Sequence, residues 1–191
     1  MPKFGYETGG ASYVAVPANA LYGSVFTSPA DVGTADSLTV YVRYHLTSPF
    51  SLKGAIVNHS DLTIISNGIT NIVSDSDVDN SPEWKTLTFA TPPTLSPDTE
   101  YVLMLISNAA FHFYYSAGDA NQGHYDTSNS FTSPTDPTDA SHNNNKYSIY
   151  CTYTAGGAPS GQPYISRVQH ISGMQTFNPI HALKVKPRKL I

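Results

Sequence analysis

The stretch Ser37-Leu38-Thr39-Val40-Tyr41-Val42-Arg43-Tyr44-His45-Leu46 decides the fold. Leu38, Val40, Val42, Tyr44 and Leu46 share one parity, and Thr39, Tyr41, Arg43 and His45 share the other. Successive side chains of a strand point to opposite faces, so these residues predict a strand with one buried and one wetter face. The same alternation recurs on both sides of it. Leu21 to Thr27 reads as a strand ended by Ser28-Pro29, and Leu52 to Asn58 with Leu62 to Ser66 reads as a hairpin around Asn58-His59-Ser60-Asp61. Trp84 to Phe89 follows, closed by Thr91-Pro92-Pro93. Tyr101 to Ile106 is apolar at both parities, as a central strand covered on both faces would be. Phe111 to Tyr115 and Lys146 to Thr154 complete the set, and Phe4 to Val16 is read as strand with its boundary left open at Gly9-Gly10. Roughly eight to ten short strands with turn signals between them predict a sandwich or barrel, and no stretch carries a 3.6-residue apolar stripe.

Composition agrees. Of the 191 residues 40% are hydrophobic, enough for a core, and only 13% are charged, against roughly 25% in ordinary soluble domains. Glu appears only at positions 7, 83 and 100, while the remaining acidic residues are Asp, which favours turns over helices. Net charge of −4 conceals an asymmetry. Lys184, Lys186, Arg188 and Lys189 are four of the ten basic residues; removing them leaves six basic against fourteen acidic, a formal −8 over residues 1–183. An acidic body argues against nucleic acid as a partner of the main surface, and the basic tail fits either nucleic acid or an acidic neighbouring subunit. The single Cys151 excludes an intrachain disulfide and sits at the parity of Tyr147, Ile149 and Tyr153, so we read it as a small buried hydrophobe. No stretch has the form of a signal peptide or of a bilayer span, and synthesis in a cytoplasm is expected.

Two segments leave the strand rhythm. Residues 116–145 read as a long polar loop with Tyr125 and Phe131 embedded. Ala155 to Pro163, rich in Gly and Pro, reads as a linker, and Tyr164 to Ile191 as an extended arm too poor in apolar residues for its own core. The expected organisation is therefore a sandwich over 1–154, a linker over 155–163 and an arm over 164–191.

The ordered set Phe4-Gly5, Gly23-Ser24-Val25-Phe26-Thr27, Leu38-Thr39-Val40-Tyr41-Val42, Lys53-Gly54-Ala55-Ile56-Val57, Trp84 to Phe89, Leu95 to Ile106 and Lys146 to Tyr153 resembles a jelly-roll module. Such modules occur in phage, archaeal and bacterial surface proteins and are related in look to carbohydrate-binding modules and galactose-binding-like domains. The resemblance covers residues 4–154 and implies an all-β jelly-roll sandwich of two antiparallel sheets. It leaves function open, because such modules bind sugars, act as spacers or build particles.

Candidate sites are sparse. Asp75, Asp77 and Asp79 alternate as a calcium loop begins, but Asn80 stands where an EF-hand needs glycine and Thr86 where it needs a bidentate Glu. An acidic solvated turn is the plainer reading, with calcium the one cofactor left open. Trp84 lies out of phase with Leu87 and Phe89, which would expose it as a sugar-stacking platform; a bulge after Pro82 that turns it inward is the expectation. His112, Tyr114, His124 and Tyr125 are the further ligand candidates of an exposed polar-aromatic surface. The seven histidines lack zinc-ligand spacing, and no nucleophile elbow, zincin or phosphate-loop motif occurs, so no enzyme is expected.

Three functions compete: a virion structural protein such as a capsid decoration, spike or fibre subunit, a stand-alone carbohydrate-binding module, and, third, a hydrolase. The first is preferred because linker and arm suit assembly, which places the protein on a virion surface, with an extracellular module as the alternative. The expected subunit contacts are Tyr164, Ile165, Val168, Ile171, Phe177, Ile180, Lys184, Lys186, Arg188 and Lys189, reaching other copies of the chain or a particle protein. A surface glycan is the other expected partner, and no membrane insertion is expected.

Overall fold

The computed structural model describes residues 1–44, 50–75, 81–137 and 141–156, all within one compact unit spanning Met1–Ala158. The expected subunit contacts from Tyr164 to Lys189, the arm, most of the linker, and Asp77 and Asp79 lie outside the described residues; of Asp75 only the backbone is described. Alternating, β-branched and aromatic segments become β1 (Lys3–Gly5), β2 (Ser12–Val16), β3 (Leu21–Thr27), β4 (Val32–Tyr44), β5 (Phe50–Asn58), β6 (Ile64–Ile69) and β7 (Val73–Asp75). They continue as β8 (Glu83–Thr88), β9 (Glu100–Ser107), β10 (Phe111–Ala117), β11 (Gly123–Asp126), β12 (Ser141–Asn143), β13 (Asn145–Tyr147) and β14 (Ile149–Ala155). No helix occurs among the described residues.

The strands form two antiparallel sheets packed face to face, an all-β sandwich. The first runs β1-β14-β4-β10-β13, with β2 also on β10 and β8 also on β4. The second runs β12-β11-β3-β9-β5-β6, with β7 also on β5. Leu38, Val40 and Val42 of β4 face inward and are fully buried, in one core with Leu103 and Leu105 of β9, Phe111 and Phe113 of β10, and Cys151 of β14. Burying each such side chain contributes about 1.5–3 kcal/mol. The other parity of β9, Val102, Met104 and Ile106, joins Leu21, Ala55 and Val57 in a second cluster on the outer face of the second sheet. Strand β9 is thus covered on both sides, as its unbroken apolar run predicts.

What covers that outer face corrects the reading of 116–145 as one polar loop. Residues 116–117 extend β10, β11, β12 and β13 are short strands within the segment, and residues 127–137 make a strap with Phe131 against the second cluster. Lys53 Nζ donates to the carbonyls of Phe131 (2.8 Å) and Thr132 (3.1 Å), and the Ile64 amide donates to Asp136 Oδ1 at 2.7 Å. Runs of three or four paired residues between Asn, Ser and Asp are too short for alternation to register. At the far end, β14 reaches Ala155, and the Gly156 amide bonds to Asp31 O at 2.9 Å, so the strand extends beyond its expected end at Thr154.

Ser148 organises the middle of the first sheet. It lies between β13 and β14, where the edge of β10 passes from β4 to β13. Its amide donates to Tyr114 O, its carbonyl accepts from the Tyr41 amide, and its Oγ accepts from the Gly10 amide, each at 2.9 Å. The crossing from β1 to β2 demands glycines: a Cβ on Gly10 would meet Tyr115 O at 2.2 Å, and one on Gly9 would meet the Tyr41 ring at 2.8 Å. The Gly9-Gly10 pair that obscured the N-terminal strand marks this close passage over the sheet.

Candidate functional site

Period-2 geometry places the residues opposite the core on the outer face of the first sheet. The register pairs Tyr41 with Trp84, His112 with Arg43, and Tyr114 with Tyr13. Directly opposed residues share a face, and Tyr150 of β14 projects to the same side. Five rings consequently meet in sequence. Tyr13 and Tyr114 have centroids 5.6 Å apart, Tyr114 and Tyr41 5.1 Å, Tyr41 and Trp84 5.0 Å, and Trp84 and Tyr150 5.4 Å. The rings are tilted, the arrangement that aromatic quadrupoles prefer over a face-to-face sandwich. Tyr13 is 48% exposed and Trp84 37%. The expected inward turn of Trp84 does not occur, because β8 stays in regular register with β4 through Trp84 and carries the ring outward.

Cations border these rings. The Arg43 guanidinium lies 4.9 Å over the Tyr13 ring, and its Nε and Nη2 lie 3.2 and 2.8 Å from His112 Nδ1. A guanidinium can only donate, so Nδ1 accepts and the imidazole proton sits on Nε2. Lys3 lies 4.7 Å over Tyr150 and Lys146 4.7 Å over Tyr6.

Two sequence candidates belong to this face but are not open: His112 is 7% and Tyr114 8% exposed, tucked among Tyr13, Tyr41 and Arg43. The other two lie on the second sheet. Tyr125 is half-buried and stacks on Tyr22 at 5.2 Å, at the margin of the main core. His124 is buried, 1% exposed, and neither ring nitrogen has a hydrogen-bond partner. The candidate set therefore divides between two faces instead of forming one exposed surface.

His124 lines a cleft of about 560 Å³ on the outer side of the second sheet, with His59, His142, Glu100, Asp119 and Gln122. Its ring centroid is 4.3 Å from that of His142 and 5.2 Å from that of His59. His59 Nδ1 is 2.9 Å from Glu100 Oε2. The loop above is pinned: the Gln122 carbonyl accepts from the Val25 amide at 2.9 Å, and the Asn121 amide, at a φ of 59°, donates to Asn144 Oδ1 at 3.0 Å. Burial, then the neighbouring His142 and His59, pushes the His124 pKa down to about 4. The imidazole is therefore neutral at neutral pH. Among the described residues no three His, Cys, Asp or Glu side chains are set to share one metal ion; the histidines meet through their rings.

Sequence reasoning missed Tyr13, Tyr41, Tyr150 and Arg43 on the first face, and His59, His142 and Glu100 in the cleft. For the first, a signal existed, since Tyr41 and Arg43 stand at the wet parity of the deciding strand. For the second there was none, because the three histidines come from the turn after β5, from β11 and from β12, and only folding unites them. Cys151 is buried as expected, and burial raises its thiol pKa far above the ordinary range, which removes it as a nucleophile. No protein-family model and no curated protein matches the chain.

Proposed function

We propose that this protein is a non-enzymatic binding subunit whose sandwich holds a glycan on the outer face of its first sheet. The observation that carries the reading is the run of rings from Tyr13 to Tyr150, with Tyr13 and Trp84 open to solvent at separate points along it. Polarised C–H groups of a pyranose ring are attracted to the electron-rich faces of aromatic rings, and a run of them can accept successive sugar units. A sheet face suits this role because its side chains are held by cross-strand neighbours and lose little freedom on binding. The resemblance of residues 4–154 to carbohydrate-binding and galactose-binding-like jelly rolls supports the same reading.

Within this proposal the setting is a virion surface: a decoration, spike or fibre subunit that joins other copies of itself or a particle protein through the arm of residues 164–191. The acidic body and basic C-terminus support it by charge complementarity.

Retention on immobilised polysaccharides tests the glycan reading. The Tyr13→Ala, Trp84→Ala double variant should lose retention while its far-ultraviolet spectrum and cooperative melt persist. Undiminished retention by the folded variant would refute the assignment. Sedimentation of the full chain beside a chain ending at Gly156, at low and high salt, tests the setting: the full chain should assemble and the shorter one should not, and monomers throughout would exclude assembly by the arm.

A further inference from the structure

Resting on the glycan reading above, we infer that the Tyr13 end of the aromatic face selects carboxylated sugars, with Arg43 receiving the carboxylate. Basic side chains are unevenly placed on this body. The described residues contain five basic side chains, Lys3, Arg43, Lys53, Lys85 and Lys146, in a body that is acidic overall. Three of the five stand over tyrosine rings of the first sheet or its N-terminal crossing: Lys3 over Tyr150, Arg43 over Tyr13 and Lys146 over Tyr6. Such a concentration is not what a uniformly acidic surface produces.

Their partners then separate them. Lys3, at the parity of Tyr150, is neutralised by Glu7 at 2.9 Å, while Lys85 sits at the inward parity of β8 opposite Val40, bridged to Glu83 at 2.7 Å, and does not belong to this face. Arg43 and Lys146 meet no carboxylate among the described residues. The Tyr150 end of the face, beside Trp84, is thus charge-balanced through Lys3 and Glu7, while the Tyr13 end keeps a guanidinium with no carboxylate partner among the described residues. That guanidinium is also oriented. Two of its contacts go to His112 Nδ1 and its Cζ lies 4.9 Å over the Tyr13 ring, so little side-chain freedom remains to be lost on binding. A guanidinium has five N–H donors, and its planar fork matches a carboxylate in two parallel bonds.

A uronic or sialic acid presents both features together: a pyranose ring for Tyr13 and a carboxylate for Arg43. A neutral sugar would satisfy the ring alone. The chemistry therefore predicts a polarity along the face, with the acidic unit at Tyr13 and tolerance of neutral units at Trp84.

Titration calorimetry of the full chain at low salt tests this with two pairs of probes: tetragalacturonate and its methyl ester, and α2,8-linked trisialic acid and its methyl ester. Esterification removes the charge and leaves the ring faces. The expected result is that at least one acid binds about tenfold more tightly than its ester, a preference that narrows as salt rises. Arg43→Gln should equalise acid and ester while retaining ester binding, and Arg43→Lys should restore part of the preference; a thermal melt of each variant establishes that it is folded. Equal or tighter binding of both esters overturns the anionic inference and leaves the glycan reading standing. A preference that survives Arg43→Gln removes it from this residue. Failure of all four probes to bind overturns the anionic inference, and the glycan reading is then decided by polysaccharide retention.

Discussion

The two outer faces of this sandwich differ in what covers them. On the second sheet, Leu21, Ala55, Val57, Val102, Met104 and Ile106 form an apolar patch that the 127–137 strap closes, with Phe131 against it and Lys53 tying the strap down. On the first sheet the equivalent parity carries tyrosines, a tryptophan, an arginine and threonines, and Tyr13 and Trp84 stay open. Aliphatic side chains left in water lose their hydrophobic stabilisation and invite aggregation, so a face made of them must be covered. Tyrosine and tryptophan tolerate partial exposure because each pairs a large apolar body with a polar atom, which is also what a binding surface requires. Residue choice on one face thus serves stability, and on the other it leaves large polar-tipped rings open to solvent.

The largest test of this contrast lies on the covered face. Met104 is fully buried there, so Met104→Ala should cost about 2–5 kcal/mol in a denaturant melt, with glycan retention unchanged at temperatures where the chain is folded. A loss below ~1 kcal/mol would mean that the strap yields easily and that the two faces are alike in energy.

Acid should act next, and only on the cleft side. His124 titrates near 4 in the folded chain against an ordinary value of 6.5. The unfolded chain therefore gains the proton first as pH falls. Stability is complete above about pH 6.5, declines between about 6.5 and 4, and loses nothing further from this group below that, for a total of about 3 kcal/mol. Burial sets most of that shift, and the neighbouring His142 and His59 add to it. Urea melts across this window should show the decline, and His124→Phe should flatten it and raise stability at neutral pH, because it replaces an unpartnered buried imidazole with an apolar ring. An unchanged slope in that variant would assign the acid response to other groups.

How much of this was legible in the sequence follows from the same physics. Alternation in Ser37 to Leu46 fixes which side chains of β4 face inward, and the apolar run Tyr101 to Ile106 announces a doubly covered strand; both hold because strand period is a local property. Trp84 shows the limit. Its outward parity was readable, but its neighbours across the sheet were not, since Tyr41 and Tyr150 are brought beside it by register between strands far apart in sequence. His124 shows the opposite failure. As a histidine in a polar segment it reads as exposed, yet pairing of β11 between β3 and β12 buries it. Exposure of a polar residue depends on what long-range pairing places above it, which no window along the chain contains.

Cover over the patch should matter in smaller measure at its rim. Phe131 is only half-buried, and its ring carries the Lys53 ammonium at 4.9 Å. Phe131→Ala should cost about 1–2 kcal/mol, below the range for a fully buried phenylalanine, and should expose enough of the patch to bind a hydrophobic dye. No dye binding would show that the strap closes the face through Lys53 and Asp136 alone.

The smallest stability effect belongs to Trp84, and it discriminates most sharply between the two faces. Its ring contacts Tyr41 and Tyr150 from a position 37% exposed, so it lacks the enclosing neighbours that make a core tryptophan costly to remove. Burial of the remaining area and two tilted ring pairs set the loss for Trp84→Ala at about 1 kcal/mol, against about 3–5 kcal/mol for a tryptophan in a core. Binding should respond in the reverse order. The same substitution removes one of the two open rings of the run and should weaken glycan retention by about tenfold, whereas Met104→Ala should leave retention intact. Trp84→Phe provides the control, since it keeps a stacking face of smaller area and should recover part of the binding with no gain in stability beyond the alanine variant of more than ~0.5 kcal/mol. If Trp84→Ala instead unfolds the chain like a core deletion, the outer face of the first sheet is structural, and the contrast between the two faces disappears.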